Sequence, residues 1–487
     1  MNMNNEIENF FGIDFGTTSC ATVGYTVMNG EPESFFYGDN EGRPVPSVVA
    51  INKKNGEVYI GREAWEKRKE LSETCEYISS VKTLLDSEFK KYIAGKTWTP
   101  VMIAAELFKN LKHNVCERTG SELKSATVAI PVGFSAVKRQ KLREAAKLAD
   151  INITSFVSEP TAAFFANYNE LKSDSVVTVF DWGGGTLDVA VLRNEKGKIS
   201  ELATGGMNVA GDDIDHKLAR RLHAKIARKQ EKDIAFEDMS ATAQDAMLVR
   251  AERAKIALSD ANTATVSINN YGDLGICREI IDYDWFEDII APEVNQAIAC
   301  LENTIREAEI GIANVDRILL VGGSSNLRPL LDKLDKKYGE KIFMPDEKPE
   351  WNVGQGAALL ALNPGMYCSN QSVGIVLSDG SKFELLKPDT PVKGWKRKCR
   401  LGIVDTSSEA RFVFCGSMDI DEDSEKYRTL EIPAYRFLEE QIETEALVDG
   451  DMIFKVIAGS TMRSKEYRRI WEYTRLKVYY KLPEWRD

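Results

Sequence analysis

Histidine is almost missing from this chain. Only His113, His216 and His223 occur, at no spacing that would pair them around a metal, so nothing supports a histidine-built centre and any metal is expected to be magnesium. The eight cysteines (Cys20, Cys75, Cys116, Cys277, Cys300, Cys368, Cys399 and Cys415) are scattered, with no CxxC pair, which fits reduced thiols better than disulfides or zinc. No apolar run reaches membrane-spanning length. Met1 to Phe11 is polar and acidic, so no secretory signal is visible and a cytoplasmic location is expected. An excess of positive charge is also absent: 63 Lys and Arg stand against 75 Asp and Glu, a net charge of −12, which argues against a general nucleic-acid binder. Partners are therefore expected to be protein, with no nucleic acid and no membrane.

What is present is a globular composition, 43% hydrophobic and 28% charged, in 487 residues, enough for roughly three domains. From Phe10 to about Ala361 apolar β-rich runs alternate with helical patterns, as in Ala126–Pro131 followed by Val137–Ala146, which predicts α/β architecture. Strands are expected at Val176–Phe180 and Ile318–Val321, and helices at Asp213–Glu231 and Thr242–Leu258. Past Asn363-Pro-Gly365 the pattern changes to short alternating strands at Val373–Leu377, Lys382–Leu386, Arg411–Phe414, Ile442–Ala446, Met452–Ile457 and Leu476–Tyr480, with a hairpin turn at Val448–Asp451. The expected division is 1–365, a linker at 366–371, and an all-β module at 372–487. The aromatic, basic tail Arg463–Arg486 invites a nucleic-acid reading, but alternating Leu476, Val478 and Tyr480 fit terminal strands with one packed face.

Two glycine turns carry the chemistry. Gly12-Ile-Asp-Phe-Gly-Thr-Thr18 and Val179-Phe-Asp-Trp-Gly-Gly-Gly-Thr-Leu-Asp188 each deliver an Asp from an apolar strand, then glycines, then a hydroxyl. Glycines let backbone N–H groups approach an anion without a side chain in the way. Two such turns in the same order imply two related halves facing one polyphosphate, the organisation of actin-like ATPases.

A nucleoside triphosphate site needs phosphate donors, carboxylates for hydrated Mg²⁺, and a positive charge near the transferred group. Thr17, Thr18, Gly183, Gly184, Gly185 and Thr186 are candidate donors, with Gly16 in the first turn; Asp14, Asp181 and Asp188 are candidates to order the metal's water shell. A third turn, Val209-Ala-Gly211-Asp-Asp, can meet the phosphates, and Gly322, Gly323 and Ser324 can lie flat against an adenosine. Glu252, Lys255 and Ser259 fall at i, i+3 and i+7 of one helix and can hold base and ribose; a plain solvated helix pair remains the alternative.

The chain resembles the heat shock protein 70 (DnaK-like) chaperone family. The resemblance rests on Gly12–Thr18, Val157-Ser-Glu-Pro-Thr-Ala-Ala163, Phe180–Asp188 and Leu320-Val-Gly-Gly-Ser-Ser325. It implies an α/β two-lobed actin-like ATPase (a duplicated ribonuclease-H-like fold) followed by an all-β peptide-binding sandwich. It further implies that Lys82 is the catalytic lysine beside the γ-phosphate, that Glu159 places the attacking water, and that Glu350 belongs to the nucleotide-binding set. Asp181, Thr186 and Asp188 are counted with the catalytic group. Pro131 and Arg139 match the pair that passes nucleotide state between domains. ATP or ADP with Mg²⁺ would be the ligand, and polypeptide substrates, J-domain proteins and exchange factors the partners.

Four departures stand out. Ser19 follows the paired threonines where the family has Asn; Asn326 and Leu327 precede Arg328 where an Arg stacks on the base; Asn363–Gln371 is polar rather than an acidic, leucine-rich linker; and no helical lid is expected after the β module. The leading expectation is an ATP-dependent chaperone-like protein. The rivals are a nucleotide-gated scaffold with one dedicated partner, and a small-molecule kinase of the same fold.

Overall fold

In a computed structural model the described residues are 8–28, 31–71, 73–345, 349–364, 366–404, 406–417, 429–435, 440–474 and 476–482. The sequence expectations that fall on Met1–Ile7, Gly365, Trp485 and Arg486 lie outside them. The chain divides into two compact units, Met1–Asn194 with Glu201–Leu362, and Glu195–Ser200 with Asn363–Asp487.

The first unit is built on two mixed sheets of the same plan. In the first, β1 (Glu8–Phe15), β2 (Ser19–Met28), β3 (Glu31–Tyr37), β4 (Ser125–Ile130) and β5 (Asn152–Ser158) lie in the order β5-β4-β1-β2-β3. In the second, β6 (Val176–Trp182), β7 (Leu187–Glu195), β8 (Lys198–Met207), β9 (Arg317–Val321) and β10 (Ile342–Phe343) run β10-β9-β6-β7-β8. The pairing repeats as well: β1 is antiparallel to β2 and parallel to β4, and β6 is antiparallel to β7 and parallel to β9. Every residue of β6 is buried, as its unbroken apolar run requires of a strand covered on both faces. Asp14 and Asp181 therefore occupy matching places, each near the end of its strand where the glycine turn begins.

Four helices matter for the site: α1 (Glu159–Ala166), α2 (Gly211–Lys229), α3 (Ala241–Asp260) and α4 (Asn352–Leu362). Ser158 caps α1 and Ser240 caps α3, each side-chain oxygen accepting a backbone N–H of the first turn. α4 packs against both β1 and α1 through small residues. A Cβ on Gly356 would fall 1.7 Å from the Ala162 carbonyl oxygen of α1, so only glycine permits that approach. The Asn167 amide donates to Asn352 Oδ1 at 3.0 Å and fixes the start of α4.

The second unit contains two four-stranded antiparallel sheets. One orders Lys382–Leu386, Val373–Val376, Glu409–Gly416 and Thr429–Pro433; the other orders Lys396–Gly402, Gln441–Val448, Phe454–Ser460 and Arg469–Tyr473. Their inward residues share one apolar core, in which Phe414 of the first sheet stacks on Trp471 of the second with ring centroids 3.6 Å apart. Gln441–Val448 alternates strictly between buried and more exposed positions, the period of two expected of such a strand. The segment read as a linker from sequence behaves differently: Met366–Ser369 is a strand, paired antiparallel with Val478–Lys481, and Lys198–Ser200 pairs with the other edge of that terminal strand. Pro364 breaks the preceding helix but leaves the residues after it free to extend. Among the described residues, no helix is long and apolar enough to cross a membrane.

Candidate active site

The ends of β1 and β6 line a cleft of about 300 Å3 inside the first unit. Gly16, Thr17, Thr18 and Ser19 come from the first glycine turn, and Gly183, Gly184, Gly185 and Thr186 from the second. The turns abut: a Cβ on Gly184 would fall 2.1 Å from Thr18 Oγ1, so the second turn carries no side chain where the first meets it. Each turn is tied down. Ser47 Oγ donates to the Gly16 carbonyl and Ser47 N–H to that of Thr18, both at 2.8 Å, while Gly183 N–H closes its own turn on the Thr186 carbonyl at 3.0 Å. The third turn joins them, Asp212 N–H donating to the Gly184 carbonyl at 2.8 Å, and Ser324 Oγ donates to the Gly183 carbonyl at 2.8 Å.

Lys82 and Glu159 meet at this cleft. Ser80, in the left-handed region at φ 54°, turns the strand Cys75–Ser79 into the short helix Val81–Leu84 that carries Lys82. Glu159 is the first residue of α1, and Lys82 Nζ donates to its Oε1 at 2.5 Å. Both are buried. Burial alone would lower the Lys82 pKa, but the Glu159 and Asp14 charges and the Glu159 hydrogen bond outweigh it and leave it raised.

Burial works the other way on the acids. It pushes Asp14 up to about 7, with Glu159 adding to the rise and Lys82 opposing it. Burial and then Glu159 raise Asp181 well above the usual carboxylate range, and the same two causes bring Asp188 to about 6. Asp14 Oδ1 is buried with no hydrogen-bond partner, an acceptor that a cation's water shell would satisfy. Among the described residues no three acidic, His or Cys side chains converge as a direct ligand set. A donor set of separated hard carboxylate oxygens fits a cation that keeps its waters, which is the habit of Mg²⁺. With Lys82 and the glycine turns beside them, these residues fit a magnesium-bound polyphosphate.

On another side of the cleft α3 contributes Glu252, Lys255 and Ile256, and Gly322, Gly323, Ser324, Pro349, Glu350 and Val353 complete the wall. Lys255 Nζ donates to Asp215 Oδ2 at 2.7 Å and to the Gly211 carbonyl at 3.1 Å; Gly211 itself is not among the lining residues. Ser259 departs from the sequence expectation: it is not among the lining residues, and its Oγ points back to the Lys255 carbonyl at 3.5 Å. It shares the helix face with Glu252 but sits seven residues on, about 10 Å further along the axis. Asp188 is likewise not a lining residue; it is the antiparallel register partner of Asp181. Arg328 lies over the Tyr283 ring at 4.1 Å and donates to Asn262, and is not part of the lining.

Asp212 and Asp215 were missed as site residues. Burial raises Asp212 to about 6 and Asp215 to about 7, in both cases against the lowering pull of Lys255. The available signal was Lys255 itself, since a lysine drawn into a pocket needs a carboxylate partner. Pro131 and Arg139 stay outside the cleft lining, with Arg139 donating to the Phe134 carbonyl at 2.7 Å.

Comparison with protein families agrees with this geometry. The model of the family described as Hsp70 protein matches residues 86–379, more than half of the chain, including Glu159, the second and third glycine turns, Gly322 and Gly323. The first glycine turn and Lys82 precede the matched region. The chain belongs to the Hsp70 family.

Proposed function

We propose that this protein is an ATP-dependent, chaperone-like ATPase in which Mg·ATP binding and slow hydrolysis control peptide or protein binding by the C-terminal β unit. Family membership supports a chaperone-type nucleotide-binding function, and the repeated sheet plan supports reading the first unit as the duplicated, actin-like fold. The observation that carries the hydrolytic reading is the buried Lys82–Glu159 pair beside two abutting glycine turns.

In this reading the backbone N–H groups of the two turns and the hydroxyls of Thr17, Thr18 and Thr186 hold the phosphates. Asp14, Asp181 and Asp188 would hold a hydrated Mg²⁺, which when bound would neutralise charge on the phosphate oxygens. Lys82 sets a cation against the charge that spreads over the transferred group, and Glu159 orients a water in line with it. Glu252, Lys255, Asp215, Glu350 and the glycines at 322 and 323 hold the nucleoside. Replacing Lys82 with Ala is expected to abolish turnover and leave ATP binding nearly intact; undiminished hydrolysis in that variant sinks the assignment.

A second reading is a nucleotide-gated scaffold with one dedicated partner. It is favoured by the strand at Met366–Ser369, which pairs part of the segment read as a linker with Val478–Lys481. Fluorescence anisotropy with a panel of unrelated apolar peptides, with and without ATP, separates the two, because a scaffold ignores the panel. A small-molecule kinase leaves the C-terminal unit without a role; transfer of phosphate to sugars, unstimulated by peptides, is its signature. J-domain and exchange-factor partners, and a division at 1–365, 366–371 and 372–487, belong to the chaperone reading.

A further inference from the structure

The first turn of α1 is held by a residue from the other sheet. Thr161 Oγ1 donates to Glu201 Oε1 at 2.7 Å, and Ser158 Oγ donates to the same oxygen in a short contact. Ser158 Oγ also accepts Thr161 N–H at 3.2 Å as the helix cap. Each hydroxyl has one proton, and both protons go to Glu201, while the Ser158 lone pair takes the amide. A carboxylate is also well placed electrostatically at the positive end of a helix.

Ser158 and Thr161 bracket Glu159, whose own side chain is engaged with Lys82. Where the Glu159 carboxylate stands is therefore set by the backbone of this turn. Ser158 ends β5 of the first sheet and Glu201 lies in β8 of the second, so the two hydroxyl bonds fix the turn from across the first unit. We propose that Glu201 is a positioning residue for hydrolysis, clamping the first turn of α1 so that Glu159 meets both Lys82 and the attacking water. The inference rests on the reading of Glu159 given under Proposed function.

The test uses the full chain, comparing single-turnover ATP hydrolysis with the Kd for ADP in Glu201→Ala, Glu201→Gln and Glu159→Gln. Glu201→Ala is expected to slow hydrolysis about tenfold or more, since a shift of about 1 Å in a reacting group can cost up to about a hundredfold, while ADP affinity stays as in the parent. Glu201→Gln, whose amide oxygen accepts the same two hydroxyls, retains most of the rate. An unchanged rate in Glu201→Ala overturns the inference, as does a Glu201→Gln loss equal to that of Ala, or a fall in ADP affinity in step with the rate. If Glu201→Ala does not fold, the Ser158→Ala/Thr161→Val pair removes the same bonds and is judged by the same criteria. Full turnover in Glu159→Gln defeats the reading of Glu159 and this inference together; loss in Glu159→Gln with none in Glu201→Ala defeats the inference alone.

Discussion

Glu159 Oε1 stands 2.5 Å from Lys82 Nζ, and the two side chains are 9% and 5% exposed. A charge pair so shielded is costly to break by halves. Removing Lys82 alone strands a buried carboxylate and is expected to cost about 3–5 kcal/mol of stability. The double variant Lys82→Met/Glu159→Gln removes both charges and is expected to recover much of that loss without recovering turnover. Urea denaturation of the two singles and the double decides it, and additive losses would contradict the pairing.

Gly356 presses on Ala162 closely enough that Gly356→Ala must push α4 away from the helix that begins with Glu159. The expected cost is about 1–3 kcal/mol from overpacking, with slower hydrolysis accompanying it. Denaturant midpoints and turnover measured together check this; a variant as stable and as active as the parent refutes the close approach.

Asp215 gives a pH dependence of definite sign. Burial raises its pKa from 3.8 to about 7, so the fold holds that proton more tightly than the unfolded chain does. The stability this contributes is complete below 3.8 and is lost as pH rises through about 7. The stability of the parent minus that of Asp215→Asn is therefore expected to fall between about pH 4 and 7, by at most about 1.4 kcal/mol per pH unit. A flat difference across that window, measured without nucleotide, rules this out.

In the C-terminal unit Trp471 bridges the two sheets by stacking on Phe414. Trp471→Ala is expected to cost about 3–5 kcal/mol in that unit's unfolding. A loss below about 1 kcal/mol in a denaturation followed by near-UV dichroism would mean that the shared core does not depend on the stack.

Much of this was legible in the sequence wherever one local rule decided the outcome. The continuous apolar run 176–180 became a strand buried on both faces, and Lys382–Leu386 fell where alternation placed it. The two glycine turns were readable because the approach they permit is a backbone property. What escaped depends on distance in three dimensions. Ser259 shares a face with Glu252 but not a height, and helical periodicity reports only the face. Asp215 enters the site through an ion pair formed forty residues away from it in sequence. Glu201 was invisible because its partners are two hydroxyls, which leave no charge pattern to read. Lys396–Gly402 was not singled out as a strand, since Lys396, Lys398 and Arg400 fill its exposed positions.

Glu195–Ser200 has its own consequence. This short segment belongs to the C-terminal unit although it lies within the sequence of the N-terminal one, so the polypeptide passes between the units at Asn194/Glu195, at Ser200/Glu201 and at Leu362/Asn363. Neither unit is a single uninterrupted stretch of chain. A protease that nicks the last passage cuts one of three covalent ties, and its products retain the pairing of Lys198–Ser200 with Tyr479–Lys481. The pieces are expected to travel together as complementing fragments, and gene truncation at the same point removes the strand with which Lys198–Ser200 pairs.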